Sequence, residues 1–337
     1  MNRTCFILSV VLACSMATPS ALAQKSSARG GGSAFEGWAD AVTLEARDAT
    51  VRAVLVPGIG GRVMFYGLGG ENVLWVNPAA AGKTLATAGA GFEPGGFQVD
   101  LGPEVSGLPA HPDLWAGPYA LSNRKKQGWL LRAPEDKAIE VELEKEVLLD
   151  PASGDLGFLH RLKNKGDRDS AFSLWHRLAA QPGGFVLLPL NKKSRFATGW
   201  SEQKSAGGKL TYEPGRAEHP AVRVMEGVLV ARTGGEATKV GADSEAQWVA
   251  YAVGRTLLMA HFPVYSTATY SEGGNSVTVA WDEKRTELQP YSPEARLRSR
   301  KSYEFPLKLS LLRLPAAVTT HEEARALVDK VPGSPFQ

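Results

Sequence analysis

The sequence predicts an all-β fold, a large antiparallel β-sandwich with one short helix near the C-terminus. Three observations lead there. Short runs alternate apolar and polar side chains, as strands with one buried face do. Turn clusters separate them, drawing on 36 Gly and 21 Pro in 337 residues. Helical periodicity, which a parallel sheet requires between its strands, is confined to one stretch at the end.

The chain opens with Met1-Asn2-Arg3, an apolar run from Phe6 to Ala13, and Ala21-Leu22-Ala23 before Gln24. That order of charged, apolar and small residues predicts a secretory signal over 1–23, cleaved after Ala23, and hence a periplasmic or secreted protein. Cys14 follows Leu12-Ala13, but Leu12 suits a lipidation site poorly and the apolar run before it is short. Both cysteines, Cys5 and Cys14, leave with the signal, so the mature chain holds no disulfide and relies on its core. Residues 24–37 are small, polar and glycine-rich and read as a linker. The sandwich is expected over 38–315 and a helix with a tail over 316–337.

Within the sandwich, Val51 to Val56 reads as a strand that Pro57-Gly58 stops. Gly60 and Gly61 supply positive φ or a close backbone approach, Arg62 to Tyr66 alternates again, and Gly69-Gly70 turns the chain into a return strand over Asn72–Val76. Ile139 to Val147 sets Ile139, Val141 and Leu143 against Glu140, Glu142 and Glu144, an outer strand with one dry and one wet face. Further strands are expected at 128–133, 157–163, 171–180, 185–190, 247–253, 256–262, 276–281, 286–291 and 303–314. Only Thr320-His321-Glu322-Glu323 argues for helix: Thr320 can cap the amide of Glu323, Glu323 can reach back, and Ala324, Leu327 and Val328 form an apolar face.

Charge and motifs exclude several functions. Lys and Arg number 38 against 35 Asp and Glu, a net +3 that falls to +2 when Arg3 leaves, too little to imply nucleic acid. The basic clusters at 124–126, 192–195 and 296–301 read first as solvated turns, and second as contacts for an acidic glycan. No other apolar run has the length of a membrane span. Asn77 to Thr84, NPAAAGKT, ends like a phosphate-binding loop, but Asn77 stands where a glycine belongs and no helix pattern follows. The glycines at 89–96 do not form GxGxxG, and the histidines show no zinc spacing, so neither cofactor nor metal is expected.

Four segments carry a family resemblance: LVPGIGGRVMFYGLGGENVLWVNP from Leu55, GPY at Gly117–Tyr119, FSLWHRLAA at Phe172–Ala180, and ELQPYSPEARL at Glu287–Leu297. With gaps, from about Trp38 to Leu314, the chain resembles the galactose-mutarotase-like (aldose 1-epimerase-like) superfamily. That resemblance implies a β-supersandwich with a sugar or glycan in a concave cleft. It also implies that Glu287 takes the anomeric proton while a protonated His176 gives one to the ring oxygen. Such a step needs carboxylate and imidazolium on opposite sides of one hemiacetal, each with a pKa near the working pH.

The residues themselves admit plainer readings. Glu287 and Gln289 share one strand face, which suits a cleft or a solvated surface equally. His176 is in phase with Phe172, Leu174 and Leu178, as a core histidine would be. Trp115, Tyr119, Trp175 and Trp200 are aromatic candidates for stacking on sugar, with Trp115 as the expected exposed platform and Trp75 and Trp281 as core. Members active as mutarotases carry a further histidine in their first half, whereas Gly91 to Glu104 has none. Glu104, Gln98 or His111 would fill that part of the cleft.

Three functions therefore stand open. The first, which these observations favour, is a periplasmic carbohydrate-binding protein with weak or no catalysis. The second is an aldose 1-epimerase. The third is an envelope scaffold, for which an occluded concave face is expected.

Overall fold

A computed structural model describes residues 34–89, 91–103, 111–124, 128–206 and 209–336. Nearly all ordered structure in them is antiparallel β, arranged as a 12-stranded and a 10-stranded sheet. The centre of the larger sheet runs Arg62–Leu68, Phe97–Gly102, Ser170–Ala180, Thr286–Pro290, Val277–Trp281, Thr238–Ala242 and Ser201–Ala206. The smaller sheet centres on Trp248–Val253, Thr256–His261, Ser302–Arg313, Leu156–Asn164 and Val141–Leu149. The main core lies between them and includes Leu55, Val99, Leu174, Leu178, Leu258, Leu288 and Leu307. The expected antiparallel sandwich is therefore present. The signal segment and most of the linker fall outside the described residues.

Most expected strands are found within a residue or two, and the differences have local causes. The return strand shortens to Glu71–Asn72, after which Leu74 and Val76 make only isolated bridges to Ala180 and Gly95. Val141–Leu149 is not at a sheet edge, because it pairs with Gly128–Arg132 and Leu156–Asn164. On its outward face, burial alone would raise the carboxyl of Glu144, but hydrogen bonds from Lys163, Arg132 and Arg161 bring it down to about 2.

The helix at His321–Arg325 has the expected capping box: the amide of Glu323 donates to Thr320 Oγ1 at 3.1 Å, and Glu323 accepts from the amides of Thr319 and Thr320. Ala324 and Leu327 then dock on Phe185, Leu187 and Val230 of the smaller sheet. Two further short helices, Leu85–Ala88 and Pro112–Ala116, carry no apolar periodicity long enough to announce them. No helix among the described residues is long and apolar enough to cross a membrane.

Candidate functional site

Strand register sorts the polar residues of the larger sheet onto its two faces. Ser170–Ala180 pairs with Phe97–Gly102, setting Trp175 opposite Asp100, His176 opposite Val99 and Arg177 opposite Gln98. On its other side, Leu178 lies opposite Leu288 and Ala179 opposite Glu287. Because side chains alternate, Val99, Leu174, His176, Leu178 and Leu288 point at the second sheet. Gln98, Asp100, Trp175, Arg177, Glu287 and Gln289 point away from it.

On that outward face lies a groove of about 350 Å³, lined by Arg177, Lys239, Arg285, Glu287, Gln289 and Gln203 among others. Glu287 is its best-held group. Its carboxylate accepts from Arg177 Nε and Nη2, both at 2.8 Å, from Arg285 Nε at 2.7 Å and from Gln289 Nε2 at 2.8 Å. Burial alone would raise its pKa, but Arg177 and Arg285 hold it well below the usual carboxylate range. Gln289 is fixed in turn by Thr278, whose hydroxyl donates to its Oε1 at 2.8 Å.

Aromatic rings hold the cations in place. Arg62 lies 4.0 Å from the ring of Trp115, Arg177 lies 4.8 Å from Trp115 and 4.9 Å from Trp175, and Lys239 lies 5.5 Å from Trp175. These contacts form a ladder of alternating cations and indoles running into the groove. At its edge Arg285 covers Trp75 at 4.9 Å, and Glu93 reaches Arg177 at 3.4 Å.

Of the residues singled out by sequence, Glu287 and Gln289 line the groove and Trp175 supports Arg177 and Lys239 beside it. His176 does not join them. It is fully buried on the opposite face of the sheet, with Nδ1 donating to the Pro290 carbonyl at 3.0 Å, Nε2 3.3 Å from His160, and its ring beside Phe97 and Phe305. Burial pushes its pKa down to about 3. The expectation that Glu287 and His176 oppose each other across one cleft is therefore corrected: two residues whose side chains leave opposite faces of a sheet cannot flank one hemiacetal.

Other placements also differ from expectation. Trp115 is buried, not an exposed platform, and its indole N–H donates to Phe92. Trp200 is buried in the main core. Trp75, expected in the core, is the partly exposed ring under Arg285. Gln98 is a buried brace that donates to the carbonyls of Gly60 and Trp115, and Tyr119 donates to the Leu114 carbonyl at 2.6 Å. His111 turns toward Asp136, at 3.2 Å. Glu104 lies outside the described residues.

Sequence reasoning missed Arg177, Lys239, Arg285 and Glu93. Arg177 sits in a run buried on both faces, where alternation cannot tell groove from core. It also missed Asp100. This carboxyl is fully buried, neither oxygen accepts a well-formed hydrogen bond among the described residues, and burial raises its pKa to about 6 against the pull of the nearby Leu101 amide, His111, Arg177 and Lys145. Among the described residues no cluster of His, Cys, Asp or Glu could hold a metal ion.

Solved structures match this arrangement over most of its length. A galactose mutarotase related enzyme from Lactobacillus acidophilus superposes with a TM-score of 0.55 at 10% identity, covering 83% of this chain and 100% of its own. The fold is galactose-mutarotase-like. The Slr1438 protein of Synechocystis sp. PCC 6803 gives a TM-score of 0.56 at 14% identity, covering 81% and 96%. A galactose mutarotase-like protein from Clostridium acetobutylicum gives 0.54 at 10%, covering 81% and 95%. No family model and no curated protein matches the sequence. The mutarotase-like architecture is thus shared, while its polar groove is described by this chain's own residues.

Proposed function

We propose that the protein is an exported saccharide-binding protein that uses the groove at Glu287 and does not catalyse anomer exchange. The observation that carries this reading is the clamp on Glu287. A sugar site needs directional polar groups held beside apolar surface, and Arg177, Arg285, Gln289 and Gln203 line the groove together with Trp281. A general base needs a pKa near the working pH. Glu287 is kept ionised by two guanidiniums and already accepts four hydrogen bonds, so it is a poor proton acceptor and serves to fix Arg177, Arg285 and Gln289 along the groove.

With His176 on the far face, the histidine that the epimerase reading assigns as the acid does not face the groove, which supports binding over catalysis. An envelope scaffold predicts a covered face, and the groove argues against that reading. Export rests on the signal pattern at 1–23. Mass spectrometry of protein recovered from the periplasm or medium should give Gln24 as the first residue; retention of Met1 would remove export from the proposal.

The central test is a glycan screen of the mature protein followed by NMR of anomer equilibration on each hit. Binding without acceleration is expected, with affinity falling about tenfold or more in Glu287→Gln, because two guanidiniums lose their anion. Acceleration by the wild type that Glu287→Gln abolishes would restore the epimerase reading, and no binding to any sugar would refute the proposal.

A further inference from the structure

Three crossings between the sheets meet at one end of the sandwich. Residues 190–200 leave the smaller sheet after Phe185–Pro189, 243–247 enter it before Trp248–Val253, and 262–276 leave it after Thr256–His261. Pairing of Phe185 with Ala252 and of Trp248 with His261 brings these strand ends together. Among the crossings lies a cavity of about 220 Å³ that shares no described lining residue with the groove at Glu287. Its frame is braced. Asp243 accepts from Ser194 Oγ at 2.6 Å and from the Arg195 amide at 2.8 Å, tying the first crossing to the second. The Tyr265 amide donates to Tyr270 Oη at 3.0 Å, and Tyr270 packs with Trp175 and Tyr291 on the larger sheet. Arg195 Nη1 donates to the Gly273 carbonyl at 3.4 Å, and its guanidinium lies against Gly274, where a Cβ would strike it.

The side chains on this frame are not used up by it. Tyr265 is 53% exposed, and its hydroxyl has no hydrogen-bond partner among the described residues. Arg195 and Glu245 are exposed and line the same small cavity, yet neither forms an ion pair with the other or with any described residue. Charge in the lining is balanced, Lys193 and Arg195 against Asp243 and Glu245, so the cavity has no surplus with which to select an ion. An exposed ring beside a planar donor and a planar acceptor suits a pyranose, which lays its C–H face on the ring while its hydroxyls donate to the carboxylate and accept from the guanidinium. The volume lies below the roughly 300–1,000 Å³ of pockets that enclose drug-sized ligands, leaving room for one sugar ring with its neighbours in solvent.

We propose that this loop pocket is a second saccharide site, which holds one ring of a neutral glycan chain on Tyr265 with its hydroxyls on Arg195 and Glu245. It adds a contact to the saccharide-binding reading above and stands or falls separately from the groove, with which it shares no described residue.

NMR of the protein with ¹³C-labelled tyrosine rings, titrated with maltohexaose, laminarihexaose and xylohexaose, tests it. The Tyr265 signal is identified by its absence in Tyr265→Phe. At least one hexasaccharide should shift that signal and saturate it below about 20 mM. The shift should persist in Glu287→Gln, and affinity read from it should fall about tenfold in Glu245→Ala, an exposed position that does not threaten folding. A Tyr265 signal that none of the three moves overturns the inference, as does an equal shift with glycerol at the same hydroxyl concentration. Movement by glycine and by no sugar would hand the pocket to a zwitterion and overturn it too. A shift that disappears in Glu287→Gln would make Tyr265 a reporter of the groove, with no second site. Glycan binding seen by calorimetry with Tyr265 unmoved leaves the groove reading standing, whereas a Tyr265 shift with calorimetric affinity unchanged in Glu287→Gln would refute the groove and keep this site.

Discussion

Asp100 shows at the scale of one residue how a buried polar group sets pH behaviour. Its carboxyl has no well-formed hydrogen bond among the described residues, and burial raises its folded pKa to about 6 from an ordinary 3.8. A carboxyl with a raised folded pKa favours the protonated native state, so its cost appears as pH rises through 3.8 and is complete above 6. Asp100→Asn should therefore raise stability at pH 7.5 by on the order of 2 kcal/mol and have little effect at pH 3.5. Thermal melts of both proteins at the two pH values check this; an unchanged difference would mean that Asp100 is solvated or paired in solution. Glu287 is the opposite case. Its carboxylate is as buried as Asp100 yet ionised, because two guanidiniums and an amide face it.

The turn Pro57–Gly61 carries the corresponding lesson for elements. Gly60 has φ of 86°, and a Cβ there would meet Gln98 Nε2 and the Trp115 carbonyl, the same groups that brace the turn. Lys145 reaches across from the second sheet and donates to the Gly60 carbonyl at 2.7 Å and to Gln98 Oε1, with burial holding its pKa far below the ordinary value. The turn thus ties both sheets to the helix that presents Trp115. Gly60→Ala should cost more than about 2 kcal/mol, from left-handed backbone strain plus displacement of Gln98. Urea unfolding measures it, and a loss below half that figure would show that the turn relaxes freely.

For the whole molecule, stability should depend on two histidines in the core. His160 and His176 are fully buried and their pKa values are pushed down, chiefly by burial, His176 to about 3. A histidine with a lowered folded pKa contributes stability that is complete above 6.5 and is lost as pH falls toward the folded value. Each should remove up to about 1.4 kcal/mol per pH unit below 6.5, while Asp100 returns a similar amount between pH 6 and 3.8. Denaturation midpoints should decline as pH falls from 7 to 4, more steeply in Asp100→Asn. A flat profile down to pH 5 would show that the histidines are hydrated.

Much of this architecture was legible before folding because it is local. Alternation marked the half-exposed strands, proline and glycine marked their ends, and Thr320 with Glu323 marked the helix start, since each signal acts over a few residues. Strands such as Phe97–Gly102 were missed, because Gln98 and Asp100 interrupt the apolar run by which a buried strand is read. The sequence by itself therefore determined the class of fold, the position of many of its strands and the placing of Glu287 and Gln289 on one strand face. Tertiary structure alone decided which side of Ser170–Ala180 becomes the groove. Trp175-His176-Arg177-Leu178 is buried on both faces, so its own pattern has no wet side, and only its neighbours turn Arg177 toward Glu287 and His176 into the core.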